Sequence, residues 1–260
     1  RFSMLTKPLT TIELTLKLQG QTKLTQSAGS LLHGVIMELI DPAYAAQMHT
    51  EALRPYSQYV YFDKKDQALK WRISSLSIEA AEKILTPMWN LPDSFRLKQK
   101  NLTVEIAARD VVTETDYDTV TSTYLGGSDT YRKLHFHFLT STSFKCGGTY
   151  VIYPDAGLIY QSLLQHWNLF SDSEVIDAPD AVQELVKNLF VGTYELRLHP
   201  FALEKTHIQA FRGKYTLILK SNIVMRRIAA MLAYYAQFAG VGAKTALGMG
   251  GTQVGMEEWK

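Results

Sequence analysis

The hydrophobic period of this chain switches between that of a strand and that of a helix, twice over in the same order, and this alternation constrains the fold more than any other feature. In TIELTLKL (11–18), Ile12, Leu14, Leu16 and Leu18 share one face, as in a half-buried strand. In LLHGVIMELI (31–40), Leu31, Leu32, Val35, Ile36, Leu39 and Ile40 cluster on one side of a helix, and AYAAQM extends it beyond Pro42. SQYVYF (57–62) and ALKWRISS (68–75) read as strands around the turn DKKDQ. A helix over 78–88 buries Ile78, Ala81, Leu85 and Met88, and 95–107 returns to strand. The order is β-α-β-β-α-β.

The second half repeats this order with insertions. RKLHFHFLT (132–140) alternates as a strand, and 155–170 carries Ile159, Leu163, Trp167 and Phe170 on one helical face. An additional helix is expected at 180–190, then strands in TYELRLHP and KYTLILK. A helix over 222–239 places Val224, Ile228, Met231, Tyr235 and Phe238 inward, and TQVGM (252–256) closes as a last strand. A doubled split β-α-β pattern predicts an α+β protein of two tandem ferredoxin-like (RRM-like) domains. Each is an antiparallel sheet with helices on one face. The GGSD turn at 126–129 divides them into 4–125 and 130–260.

With 260 residues, 46% of them hydrophobic and 20% charged, the chain can bury a sizeable core. A net charge of +2 excludes a basic tail but permits a local basic patch. The single cysteine, Cys146, can form neither an internal disulfide nor a metal cluster, which fits a reducing, cytoplasmic setting. No apolar run of membrane-spanning length and no leader pattern occurs, and Met4 reads as the natural start.

The stretch GVGAKTALGMGG (240–251) places five glycines in twelve positions. It is not a nucleotide P-loop: Lys244-Thr245 follows Ala243 rather than glycine, and the preceding element reads as a helix. It also fails the dinucleotide fingerprint, since no glycine stands at 245. Two readings stay open. One is a turn from helix to strand; the other is a nest of backbone N–H groups that, with Lys244, meets phosphate oxygens. Sheets of the RRM type bind RNA, which would supply such phosphates. Arg226 and Arg227, placed opposite Val224 and Ile228 on their helix, either extend Lys244 into a phosphate-contacting stripe or form a solvated face.

AQFAGVGAKTALGMGGTQV resembles the glycine-rich hallmark of the CRISPR-associated endoribonucleases that cut repeat RNA into guide RNAs. FKCGGTYVIYPDAGLIYQSLLQHWN (144–168), AFRGKYTL (210–217) and MHTEALRPYS (48–57) stand in the order and spacing of that family. The resemblance covers most of the chain and implies a tandem ferredoxin-like fold, in agreement with the order of elements. It also implies cleavage without metal or cofactor: the ribose 2′-OH attacks the scissile phosphate, giving a 2′,3′-cyclic phosphate and a 5′-OH.

Such a reaction needs a base, an acid and a cation, and histidine suits both proton roles. The resemblance points to His49 as the catalytic histidine, with His33 sharing base and acid duties and Arg54 stabilising the transition-state charge. Their plain alternatives are a polar helix-end residue, a packed histidine and a solvated loop arginine. The implied RNA-binding set is Gly240, Gly242, Lys244, Thr245, Gly248 and Gly250 with Arg226 and Arg227. His135 and His137 share a strand face without a ligand pattern and are structural or RNA-facing, while His166 reads as core-edge. His199 and His207 fall near strand ends. The expected partner is CRISPR repeat RNA, with effector-complex proteins a further option, no membrane, and a monomer or homodimer. The alternative function is a non-catalytic repeat-RNA-binding subunit of an effector complex.

Overall fold

The computed structural model describes residues 2–20, 22–128, 130–172, 175–176, 180–220 and 222–258. Arg1 and Asp129, the last residue of the expected GGSD boundary, lie outside the described residues. In the first half β1 (Leu9–Leu18) leads into α1 (Ala28–Leu39) and α2 (Pro42–Thr50), then the hairpin β2 (Tyr56–Asp63) and β3 (Ala68–Ser75). Next, α3 (Ile78–Ala80) runs through a π-helical turn (Ala81–Leu85) into α4 (Thr86–Trp89). The expected strand over 95–107 is two strands, β4 (Ser94–Leu97) and β5 (Leu102–Thr115). The turn between them puts Asn101 at φ 48°, a left-handed conformation that asparagine tolerates.

The second half begins after α5 (Tyr117–Leu125), a helix that the hydrophobic pattern did not announce. Asp116 caps it, its carboxylate accepting the Thr119 N–H at 2.7 Å. β6 (Tyr131–Thr142) is followed by a small hairpin, β7 (Phe144–Cys146) and β8 (Thr149–Val151), then α6 (Ala156–Phe170) and α7 (Ala181–Val186). β9 (Leu189–Leu198), the short pair β10 (Phe201–Ala202) and β11 (His207–Ile208), β12 (Phe211–Leu219), α8 (Ile223–Ala239) and β13 (Thr252–Glu258) complete the chain.

The two sheets run β2-β3-β1-β5-β4 and β13-β6-β12-β9. Counting the main strands of each half in chain order, both read 4-1-3-2 with antiparallel neighbours throughout. This is the ferredoxin-like arrangement, and β4 adds an outer strand to the first sheet. Ile12, Leu14 and Leu16 pack with Leu32, Ile36, Trp71 and Ile84 in one core. Phe136, Phe138, Leu163, Trp167, Tyr235 and Phe238 pack in the other. Val224 is 53% exposed rather than inward, because the first turn of α8 overhangs its core. No helix among the described residues is long and apolar enough to cross a membrane.

The halves are stitched by polar groups as well as by packing. Ser57 donates its hydroxyl to the Phe238 carbonyl, and the hydroxyls of Tyr117 and Tyr235 meet at 3.1 Å. Backbone meets backbone between Gly29 in α1 and Gly248 in the glycine loop: a Cβ on Gly29 would stand 2.8 Å from both Gly248 Cα and the Leu247 carbonyl oxygen. Backbone on both sides leaves nothing flexible to yield. Gly29→Ala is therefore expected to destabilise the protein by about 1–3 kcal/mol, as overpacking does. The check is the denaturant midpoint at unchanged slope, and an unshifted midpoint would mean that the contact is loose.

Candidate active site

The glycine loop lies where the two halves meet, and most of its backbone is committed to holding it there. Gly240 ends α8 at φ 70° and donates its N–H to Ala236. Val241 donates to Gly250, Ala243 to Ser143, Gly250 to Ser141, and Gly251 to the Thr140 hydroxyl. Gly242 donates to the Ser162 hydroxyl at 3.0 Å, and a Cβ there would come within 2.3 Å of the Ser143 carbonyl oxygen. Gly248 rests on Gly29. Of the two readings of the loop, this geometry favours the turn over the open nest: the glycines mainly let backbone pack on backbone. What the loop presents outward is Lys244, exposed and held at φ 56°, ahead of the buried Thr245.

Gln58, 1% exposed, ties this loop to the first half. Its amide donates to the carbonyls of Gly29 at 2.6 Å and Ala246 at 3.0 Å, while its oxygen accepts the Trp71 indole N–H at 2.8 Å. A second bridge uses Gln26, which accepts the Ser141 N–H at 2.7 Å and meets Ser141 Oγ at 2.6 Å and His199 Nδ1 at 2.8 Å. Every polar group in these bridges would be costly to bury unpaired, so together they fix the seam in one arrangement.

Along the seam opens a cleft of about 350 Å³. His33 and Arg54 line it from the first half, and Gly242–Leu247, Lys145, Tyr150 and His166 from the second. Three cations, Arg54, Lys145 and Lys244, face it against one carboxylate, Glu51. That balance favours an anion.

His33 Nδ1 meets the Tyr56 hydroxyl at 2.6 Å. Burial, then the charges of Arg54 and His49, push His33 down to about 4, while a backbone hydrogen bond with Ala246 pulls the other way. Neutral pH therefore leaves it an uncharged ring. Burial also raises the Tyr56 hydroxyl well above its usual range, so it remains a phenol. His49 is exposed in the last turn of α2, near enough for its charge to act on His33. Arg54 is no solvated loop residue: it donates from Nη1 to the Met48 carbonyl and, at 2.5 Å, to that of Glu51, clamping the helix end that carries His49.

The structure thus brings His33, Arg54, Gly242, Lys244 and Thr245 to one cleft, while His49 stands outside its lining, at the exposed end of α2 that Arg54 clamps. It does not bring Arg226 and Arg227 there. They are half-buried in the first turn of α8, where Arg227 reaches the Leu125 carbonyl. From Arg227 to the end of the helix at Ala239 is ~18 Å, so no stripe with Lys244 forms. His135 and His137 lie on the open face of the second sheet, where His135 Nδ1 meets Thr216 Oγ1 at 2.9 Å and its Nε2 stands 3.5 Å from Glu257.

Sequence reasoning missed Tyr56, Gln58, Lys145, Tyr150 and the cleft-lining position of His166. For Lys145 and Tyr150 a signal existed: Gly147-Gly148 between two short apolar stretches is a hairpin turn, and both glycines adopt positive φ. Gln58 gave none, since two of its partners are backbone carbonyls, of Gly29 and Ala246, that only the fold brings to it.

A family model described as CRISPR-associated endoribonuclease Cas6 matches residues 136–252. A CRISPR-associated endoribonuclease Cas6 of Streptococcus thermophilus is 27% identical over 227 residues, covering 85% of this chain and 89% of the relative. A solved structure described as a Cas6 product complex superposes with a TM-score of 0.75 at 21% identity, over 96% of this chain and 99% of that one, and establishes likeness of fold. A Mycobacterium tuberculosis CRISPR-associated endoribonuclease Cas6 is 30% identical over 253 residues, spanning 96% of this chain and 79% of the relative. With that identity along nearly its whole length, this chain belongs to the CRISPR-associated endoribonuclease Cas6 family.

Proposed function

We propose that this endoribonuclease cuts CRISPR repeat RNA in the cleft between its halves, by attack of a ribose 2′-OH that leaves a 2′,3′-cyclic phosphate and a 5′-OH. The observation that carries the reading is the convergence of His33 and three cations from distant parts of the chain on one cleft, beside the helix end that carries His49. In this assignment residues 4–125 supply the histidines and 130–260 the glycine loop.

His33 and His49 take different roles because their surroundings differ. His33, neutral and tied to Tyr56 and Ala246, is a fixed hydrogen-bonding group that orients the ribose rather than a carrier of charge. His49, exposed at the end of α2, moves the proton. Arg54 holds the end of α2 in place and, with Lys244 and Lys145, offsets the charge that gathers on the phosphorane. The glycines act at one remove, by letting the loop sit where Lys244 meets the RNA backbone.

Cleavage of an end-labelled repeat RNA in excess EDTA tests the assignment. His49→Ala is expected to slow cleavage by ~10² or more while RNA affinity stays within about tenfold. Equal rates for mutant and wild type would remove His49 from the chemistry, and binding without any cut by either protein would make the chain a binding subunit.

The titration of His33 near 4 sets a second expectation. Between pH 5 and 8 its charge does not change, so His33→Asn should lower the rate without altering the shape of the pH–rate profile. Disappearance of an inflection in that window would show that His33 itself carries the proton. The same depression has a stability counterpart with a defined sign. The unfolded histidine binds its proton near pH 6.5, the folded one near 4, so the wild type should lose stability relative to His33→Asn as pH falls through that interval. Parallel denaturation curves of the two proteins across that range would refute it.

Lys244→Ala should weaken RNA binding and reduce the slope of log affinity against log salt by about one phosphate contact. An unchanged slope would place Lys244 off the RNA backbone.

A further inference from the structure

A second hollow, of about 420 Å³, adjoins the cleft and shares Leu53, Lys145, His166, Gly242 and Ala243 with it. Its chemistry differs from that of the cleft. Leu53, Phe144 and Leu158 supply apolar wall, while Gln161, Gln165 and His166 supply hydrogen-bonding groups. Gln161 and Gln165 lie four residues apart on α6, so they project from the same side of the helix. Both are exposed, and neither side-chain amide meets a protein partner among the described residues.

His166 is 3% exposed, and its Nδ1 lies 2.8 Å from the Ser162 carbonyl oxygen. A carbonyl can only accept, so Nδ1 carries the hydrogen and Nε2 is a lone-pair acceptor. Burial holds the ring uncharged. Apart from Lys145, which it shares with the cleft, and the small Cys146 and Ser162, the hollow combines apolar surface, two amides able to donate and accept, and one fixed acceptor. Phosphate is poorly served by that set, and a flat heteroaromatic ring with a polar edge is well served.

We propose that this hollow receives a nucleobase of the RNA next to the scissile phosphate, stacked against the apolar wall and read on its edge by Gln161, Gln165 and His166. The inference rests on the RNA-cleavage reading above and deepens it. An acceptor at His166 Nε2 selects a base that offers an exocyclic amino group, such as cytosine over uracil. The shared wall residues put the hollow within one nucleotide's reach of the cleft, so the base in it flanks the bond being cut.

The test uses the full chain and a CRISPR repeat RNA that it cleaves, made uncleavable by a 2′-deoxy residue at the mapped cut. Each flanking nucleotide is replaced in turn by an abasic one, and affinity is compared between wild type and the surface double variant Gln161→Ala/Gln165→Ala. At one flanking position the abasic RNA should bind wild type at least tenfold more weakly, on the scale of a lost base stack. The double variant should bind the intact RNA more weakly and lose less on removal of that base than wild type does. At that position wild type should prefer cytidine to uridine by threefold or more, and His166→Phe should abolish the preference.

Losses that multiply independently, or no flanking position whose base matters, would overturn the proposal. Equal cleavage by His49→Ala removes the catalytic assignment but leaves this affinity comparison standing. No affinity for the repeat RNA removes both.

Discussion

Two glycines from opposite halves of the chain meet backbone to backbone, and the geometry of the cleft follows from that contact. Gly29 sits in the first turn of α1, four residues before His33, and Gly248 lies four residues after Lys244. Their Cα atoms approach so closely that a methyl group on either would collide with main chain. Because α1 and the loop touch there, a histidine of the first sheet's helix and a lysine from the far end of the sequence face a common space. Gln58 makes the arrangement specific: a buried amide with both ends engaged tolerates little sliding, since any shift leaves a polar group unpaired in a dry seam.

The seam separates rigid from accessible groups. Buried in it are neutral hydrogen-bonding residues, among them Gln26, Gln58, His166 and the partly buried His33 with its Tyr56 partner. Toward solvent stand Lys145, Lys244 and His49, exposed and free to meet a polyanion. Arg54 belongs to both sets, since it spends one nitrogen on the carbonyls that end α2 and keeps the rest of its guanidinium at the cleft. Charged groups buried in the seam would carry a large desolvation cost, and neutral ones outside would do little to draw in RNA. Fixed neutral groups suit orientation, and exposed cations suit attraction.

The fold was legible because its cause is local. A period of two or of a helical turn is written in consecutive residues, and the doubled order of elements specifies the 4-1-3-2 sheets almost without further assumption. What escaped notice has local signals that are weak or absent. The helix α5 has little amphipathicity, its sequence YDTVTSTYL being rich in threonine, and it forms because Asp116 caps it and Tyr117 and Val120 are buried against the second core. The break between β4 and β5 depends on one left-handed asparagine. Arg226 and Arg227 were correctly put on α8, but helical phase says nothing about distance along the axis, and that distance separates them from Lys244.

For the candidate site the balance is reversed. Residue types together with the family resemblance pointed to His49, His33, Arg54 and Lys244, yet the role of the glycines could be read only in three dimensions. A glycine-rich loop in sequence is equally compatible with a backbone that approaches a ligand and one that approaches itself. Here the collisions that a side chain would cause are with Ser143, Val241, Gly29 and Tyr59, all protein atoms. The glycines thus let the loop pack against α1, β2 and its own backbone, and Lys244 is the side chain it leaves exposed. Substitutions at its glycines would then disturb folding and RNA contact together, whereas a change at Lys244 separates the two.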